Sequence, residues 1–72
     1  MLKNNIFEIQ GQVIKLLPNT MFIVKINDKY QIIAYISGKM RKNHVKILIG
    51  DKVTVEISQY DITKGRISQR HE

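Results

Sequence analysis

Cysteine and tryptophan are absent from these 72 residues, proline occurs once and glycine four times. Without cysteine neither a disulfide framework nor a thiolate metal site can hold the chain together, and a reducing compartment is the natural expectation. No window approaches the roughly 18 consecutive apolar residues of a membrane span. The Met1-Leu2-Lys3 start runs straight into strand-like sequence without the apolar core of a secretory signal. The protein is therefore expected to act where it is made and away from membranes. Acids are also scarce: six stand against twelve Lys and Arg, giving a net charge of +6 and a pI near 9.9. Such a surface favours an anionic polymer as partner, nucleic acid first.

The residues of enzymatic chemistry are missing as well. Glu8, Asp28, Asp51, Glu56 and Asp61 are scattered one per turn or outward strand position, with no acid and base paired and no nucleophile beside a base. His44 and His71 lie far apart with no partner at metal-ligand spacing, so no zinc site is expected. Gly38-Lys39 would end a phosphate-binding loop only with glycine at Ile33 and Ser or Thr at Met40, so that motif fails. A non-enzymatic chain without metal or cofactor is the expectation. A domain of this length hides only about 60% of its unfolded surface, which leaves a thin core and no deep substrate cavity.

What is present is alternation. Over Ile6–Leu17, Phe7, Ile9, Gly11 and Val13 alternate with Glu8, Gln10 and Gln12, the period of a strand with one buried face. Gly11 marks a point of curvature. Pro18-Asn19-Thr20 is a breaker. A second strand, Met21–Ile26, turns Phe22, Val24 and Ile26 inward and Met21, Ile23 and Lys25 outward. Asn27-Asp28-Lys29 suits a hairpin turn. The third strand, Tyr30–Ile36, places Ile32, Ala34 and Ile36 inward and Gln31, Ile33 and Tyr35 outward. One short helical turn is expected within Lys39–His44. An apolar run, Val45–Ile49, and a Gly50-Asp51 turn follow, and in the fourth strand Val53, Val55 and Ile57 alternate with Lys52, Thr54 and Glu56. Tyr60–Gly65 has turn chemistry. A last short strand, Arg66–Arg70, points Ile67 inward and both arginines outward, and His71-Glu72 frays.

Five short strands with a helical turn between the third and fourth predict an all-β antiparallel barrel. The oligonucleotide-binding (OB) fold fits best, with ligands on the face of strands two and three and the adjoining loops; an SH3-like barrel shares the pattern.

The functional centre is the segment Ser37–Lys46. Lys39, Arg41, Lys42 and Lys46 put four cations within eight residues, with no acid among them and apolar side chains interleaved. Cations so placed can neutralise several phosphates, each adding a salt-dependent increment of affinity, and arginine adds a planar fork for phosphate or base edges. An ordinary solvated loop would look the same in isolation. A second cluster, Lys64, Arg66 and Arg70, tips the balance toward function. Tyr35 and Tyr60 are the aromatic side chains available for base stacking; Phe7 and Phe22 fall at inward positions and are assigned to the core. His44 supplements the basic surface.

Four collinear strings carry a resemblance over nearly the whole chain: Leu17-Pro18-Asn19-Thr20-Met21-Phe22, Ile36-Ser37-Gly38-Lys39-Met40-Arg41-Lys42-Asn43, Gly50-Asp51-Lys52-Val53-Thr54-Val55-Glu56 and Tyr60-Asp61-Ile62-Thr63-Lys64-Gly65-Arg66-Ile67. Their order and spacing resemble bacterial-type translation initiation factor one. The resemblance implies a single S1-like OB domain over residues 1–72, bound to the small ribosomal subunit in the aminoacyl-tRNA site beside the decoding-region RNA. It implies a block on premature tRNA entry there, cooperation with initiation factors two and three, and departure when the large subunit joins. It further implies a monomer in bacterial cytoplasm, or in plastid stroma if plastid-encoded. By position, Lys39, Met40, Arg41, Lys42 and Lys46 match the family segment that enters a groove of decoding-site RNA, and Lys64 and Arg66 its second basic element. The chain departs from the family pattern at Ile23, where arginine is frequent, at Asn27-Asp28-Lys29, where Asn-Gly is frequent, and at His44, where an aromatic is usual. Two rivals remain: a general single-strand binder of cold-shock type, with a denser aromatic surface, and a protein-interaction module built on the outward Met21, Ile23 and Ile33.

Overall fold

The computed structural model describes residues 6–38, 42 and 46–71. Five strands, β1 (Ile6–Leu17), β2 (Met21–Asn27), β3 (Tyr30–Ile36), β4 (Lys52–Ser58) and β5 (Asp61–His71), close into a barrel in the order β1-β2-β3-β5-β4. The first three begin where the period-two pattern places them. Val13, Phe22, Val24, Ile32, Ala34, Val53, Val55, Ile57 and Ile67 form the buried core, and Ile47 joins them from the segment ahead of β4. The helical turn expected within Lys39–His44 falls, apart from Lys42, outside the described residues.

β1 is long because it serves two neighbours. Its N-terminal half pairs with β4 from Ile6↔Ser58 to Gln12↔Lys52, and its C-terminal half pairs with β2 from Gln12↔Lys25 to Leu17↔Met21. Gly11 sits at the crossing. A Cβ there would lie 2.6 Å from Val24 Cγ1 and 2.8 Å from the Lys25 carbonyl oxygen, so only glycine lets β2 close this tightly on β1. The β1–β2 turn bends through Asn19 and Thr20 at φ 64° and 57°. In the β2–β3 turn the Asn27 side chain accepts the Lys29 N–H at 2.9 Å, the local closure expected of asparagine.

Five expectations need correction. The barrel is not wholly antiparallel, because β3 and β5 pair in parallel from Ile33↔Lys64 to Ile36↔Ile67. Parallel neighbours need a crossover, and here the chain between them includes β4, which is antiparallel to both β1 and β5. Strand five is 11 residues long rather than five. Asp61 Oδ1 accepts both the Thr63 N–H, at 3.1 Å, and its hydroxyl, at 2.6 Å; this turn chemistry produces a ladder irregularity after Ile57 instead of a loop. Phe7 is 52% exposed. It lies on the half of β1 that β2 has left, so its side faces an open apolar cleft with Ile9, Tyr30, Ile57 and Ile62 rather than the closed interior. His71 does not fray: it pairs with Lys52, and its Nε2 lies 2.6 Å from Thr54 Oγ1. That contact also explains why Thr54, expected outward, is buried.

Candidate nucleic-acid interface

Register assembles the site. Going round the barrel, the outward row is Met21, Tyr35, Arg66, Glu56 and Glu8, each opposite the next on the neighbouring strand. One step away run Ile23, Ile33 and Lys64. The parallel β3–β5 pairing thus sets Tyr35 beside Arg66 and brings Lys64 to the same face. Gly65, between the two cations, is buried, and a Cβ on it would overlap Val55 and crowd the Glu56 carbonyl oxygen at 3.1 Å. Because Gly65 packs inward, Lys64 and Arg66 are both turned out.

Arg66 is not an isolated cation. Its Nε donates to Glu56 Oε1 at 3.1 Å, and Nη2 donates to the same oxygen. The hydrogen bond and then the charge of Glu56 raise the guanidinium pKa further above its ordinary value. The pair forms a ridge between two shallow clefts. One, of about 360 Å³, is lined by Tyr35, Lys64, Arg66, Asp61 and Ser58 among others. The other, of about 300 Å³, is lined by Ser37, Gly38, Glu56, Arg66 and Ser68. Hydrogen bonds from the Thr63 hydroxyl and then the Thr63 N–H hold the Asp61 carboxyl below its ordinary pKa.

The basic segment is anchored to β5 at both ends. Ahead of it, Ser37 N–H donates to the Ile67 carbonyl at 3.1 Å; behind it, Arg70 Nη1 donates to the Lys46 carbonyl at 2.8 Å. Gly38, where the segment leaves, lines the same cleft as Arg66. The return is fixed by a second set of bonds: Asp51 Oδ2 accepts the Leu48 N–H at 2.8 Å, while Val13 N–H donates to the Asp51 carbonyl at 2.9 Å and Gly50 N–H to the Val13 carbonyl at 2.7 Å. These ties deliver Ile47 to the core.

Lys42, Lys46, Lys64, Arg66 and Tyr35 are exposed. Arg70 is half-buried and directed to the Lys46–Asp51 stretch, with Asp51 Oδ2 4.0 Å from its Nη1; its visible work is to position the basic segment. Tyr60 is 75% exposed in the β4–β5 turn and lines neither cleft beside Arg66. Lys39, Met40, Arg41 and His44 lie outside the described residues. Sequence reasoning missed Glu56 as the partner of Arg66, and its signal is a cross-strand register that no local pattern encodes.

The family model "Translation initiation factor 1A / IF-1" matches residues 2–72. The chain belongs to this family. It is similar over its full length to translation initiation factor one from the Wolbachia endosymbiont strain TRS of Brugia malayi, known from a solution structure. Identity is 42%, TM-score 0.79, and the match covers 100% of this chain and 90% of that one. The crystal structure of YjeQ from Thermotoga maritima matches at 24% identity and TM-score 0.74, over 92% of this chain and 23% of that one; this likeness shows the shared barrel alone. The chain is therefore a translation initiation factor of protein biosynthesis, built as a five-stranded barrel of OB type.

Proposed function

We propose that the protein binds the small ribosomal subunit at the aminoacyl-tRNA site, touching decoding-region RNA with its two basic elements and acting with initiation factors two and three. It does so as a monomeric, non-enzymatic, single-domain protein over residues 1–72, in bacterial cytoplasm or, if plastid-encoded, in plastid stroma. Lys39, Met40, Arg41, Lys42, His44 and Lys46 supply the first element; Lys64, Arg66 and Tyr35 supply the second, with Arg70 and Tyr60 at its margins. The observation that carries this reading is the double anchorage of the basic segment to β5, at Ser37 and Lys46, the strand whose outward side bears Lys64 and Arg66. Two cationic elements whose flanking residues meet on one strand suit folded RNA, which is recognised through shape, phosphates and 2′-hydroxyls more than through base edges.

The cold-shock alternative needs successive stacking platforms. On the outward rows of β2 and β3, Tyr35 stands among Met21, Ile23 and Ile33, which favours the ribosomal reading. The test is sedimentation with purified small subunits across a salt series. Lys64→Ala and Arg66→Ala should each weaken binding and flatten the log–log salt slope by about 0.7 to 0.9 without unfolding the barrel, and aminoacyl-tRNA should compete. Equal affinity for unstructured oligonucleotides and for subunits would overturn the assignment.

A further inference from the structure

β1 and β2 part at Gln12. The pairing with β2 stops at Gln12↔Lys25, while β1 continues along β4 and β2 continues into its hairpin with β3 through Asn27↔Tyr30. The splay opens a cleft of about 340 Å³, lined by Gln10, Gln12 and Asn27 and by Lys25 and Lys52, with Gly11 and Ile26 between them. None of its lining residues is a carboxylate. Lys25 and Lys52 stand on either side of Gln12 in the register, two strand spacings or about 10 Å apart at the backbone. That is about one Debye length at 0.1 M salt, so their fields overlap at Gln12. The side-chain amides add hydrogen-bond donors; one N–H of the Gln12 amide is already given to the Gly50 carbonyl at 3.1 Å, which leaves its second N–H for a ligand.

Among the described residues, two acids lie close to these lysines. Asp28 pairs with Lys25 at 3.3 Å, its side chain 96% exposed, and such a pair exchanges readily for a polyanion. Asp51 precedes Lys52 in sequence, but its Oδ2 accepts the Leu48 N–H at 2.8 Å. The cleft is distinct from the Arg66 face, because β1 adjoins only β2 and β4 while Arg66 sits on β5 between β3 and β4.

We propose that this cleft is a second phosphate-binding site which takes the sugar-phosphate backbone of a further RNA segment, Lys25 and Lys52 neutralising its phosphates and the Gln12 amide donating between them. The barrel then grips RNA on two sides of its circumference. The ligand class rests on the ribosomal reading above; the site itself can be tested without ribosomes.

The probe is a ten-uridine RNA titrated at low salt into the full-length, nitrogen-labelled protein, with the Gln12 side-chain amide as reporter. The RNA should shift that amide saturably. Lys25→Gln combined with Lys52→Gln should lower affinity about five- to tenfold and reduce the salt slope by about 1.4, two single-strand phosphates' worth. Asp28→Asn, which releases Lys25 from its partner, should raise affinity about twofold, an outcome that structural damage would not produce. An unmoved Gln12 amide, or an unchanged affinity and slope in the double variant, would overturn the site. Inorganic pyrophosphate shifting Gln12 where RNA does not would overturn it as an RNA site. If the decamer binds here but the protein fails to sediment with small subunits, the ribosomal reading falls and the cleft stands.

Discussion

Glu56 is the residue whose role is least visible from its type. It occupies the basic face, yet it fixes the Arg66 guanidinium by two hydrogen bonds to one oxygen. The two side chains are 46% and 22% exposed, so their attraction is largely screened and is worth at most about 1 kcal/mol. Glu56→Gln should therefore leave the barrel folded, lower stability by less than about 1 kcal/mol, and tighten small-subunit binding, with the salt slope steepened by only a fraction of the about 0.7 to 0.9 that one phosphate contributes, because Arg66 already makes its contact and is merely relieved of a competing carboxylate. Denaturant titration and salt-dependent binding check the two halves. Asp61 offers a pH reading at the same scale. Bonds from Thr63 lower its pKa, so its contribution is complete above the ordinary carboxylate value and is lost as pH falls through the depressed one. A carbon-detected titration should place the Asp61 midpoint below an ordinary aspartate, and Thr63→Val should move it back up.

Among the elements, β5 decides most. It pairs in parallel with β3 and antiparallel with β4, carries Lys64 and Arg66, and receives both ends of the basic segment at Ile67 and Arg70. This double service requires the strand to run close under its neighbours at Gly65, where a methyl group would overlap Val55 and press on the Glu56 backbone. Overpacking of this kind typically costs about 1–3 kcal/mol. Gly65→Ala should lower stability by that amount in chemical denaturation and weaken subunit binding as well, since the same residue sets the outward projection of its two cationic neighbours. A binding defect without a stability defect would show that the close approach does not govern the site.

For the whole molecule the governing quantity is net charge on a small body. With a net charge of +6, encounter with an RNA surface is steered electrostatically. The association rate with small subunits, followed by stopped flow, should fall steeply as salt is raised from about 50 to 200 mM. A rate indifferent to salt would support the protein-interaction module instead. Much of this was legible in the chain itself. Period-two alternation marked out the first three strands and nearly all of the inward positions, because a strand's two faces are written residue by residue. The basic segment was legible for the same reason, as a local stretch with four cations in eight residues and no acid among them. Register is not local. The pairing of Glu56 with Arg66, the departure of β2 from β1 at Gln12, and the parallel run of β3 beside β5 each join residues far apart in sequence. They follow from how a twisted sheet closes on itself. Composition and alternation by themselves therefore determined a small cationic barrel. Which cations share a face, which carboxylate restrains them and why Phe7 stays outside were decided only when the strands met, since strand neighbours are chosen by closure and not by order along the chain.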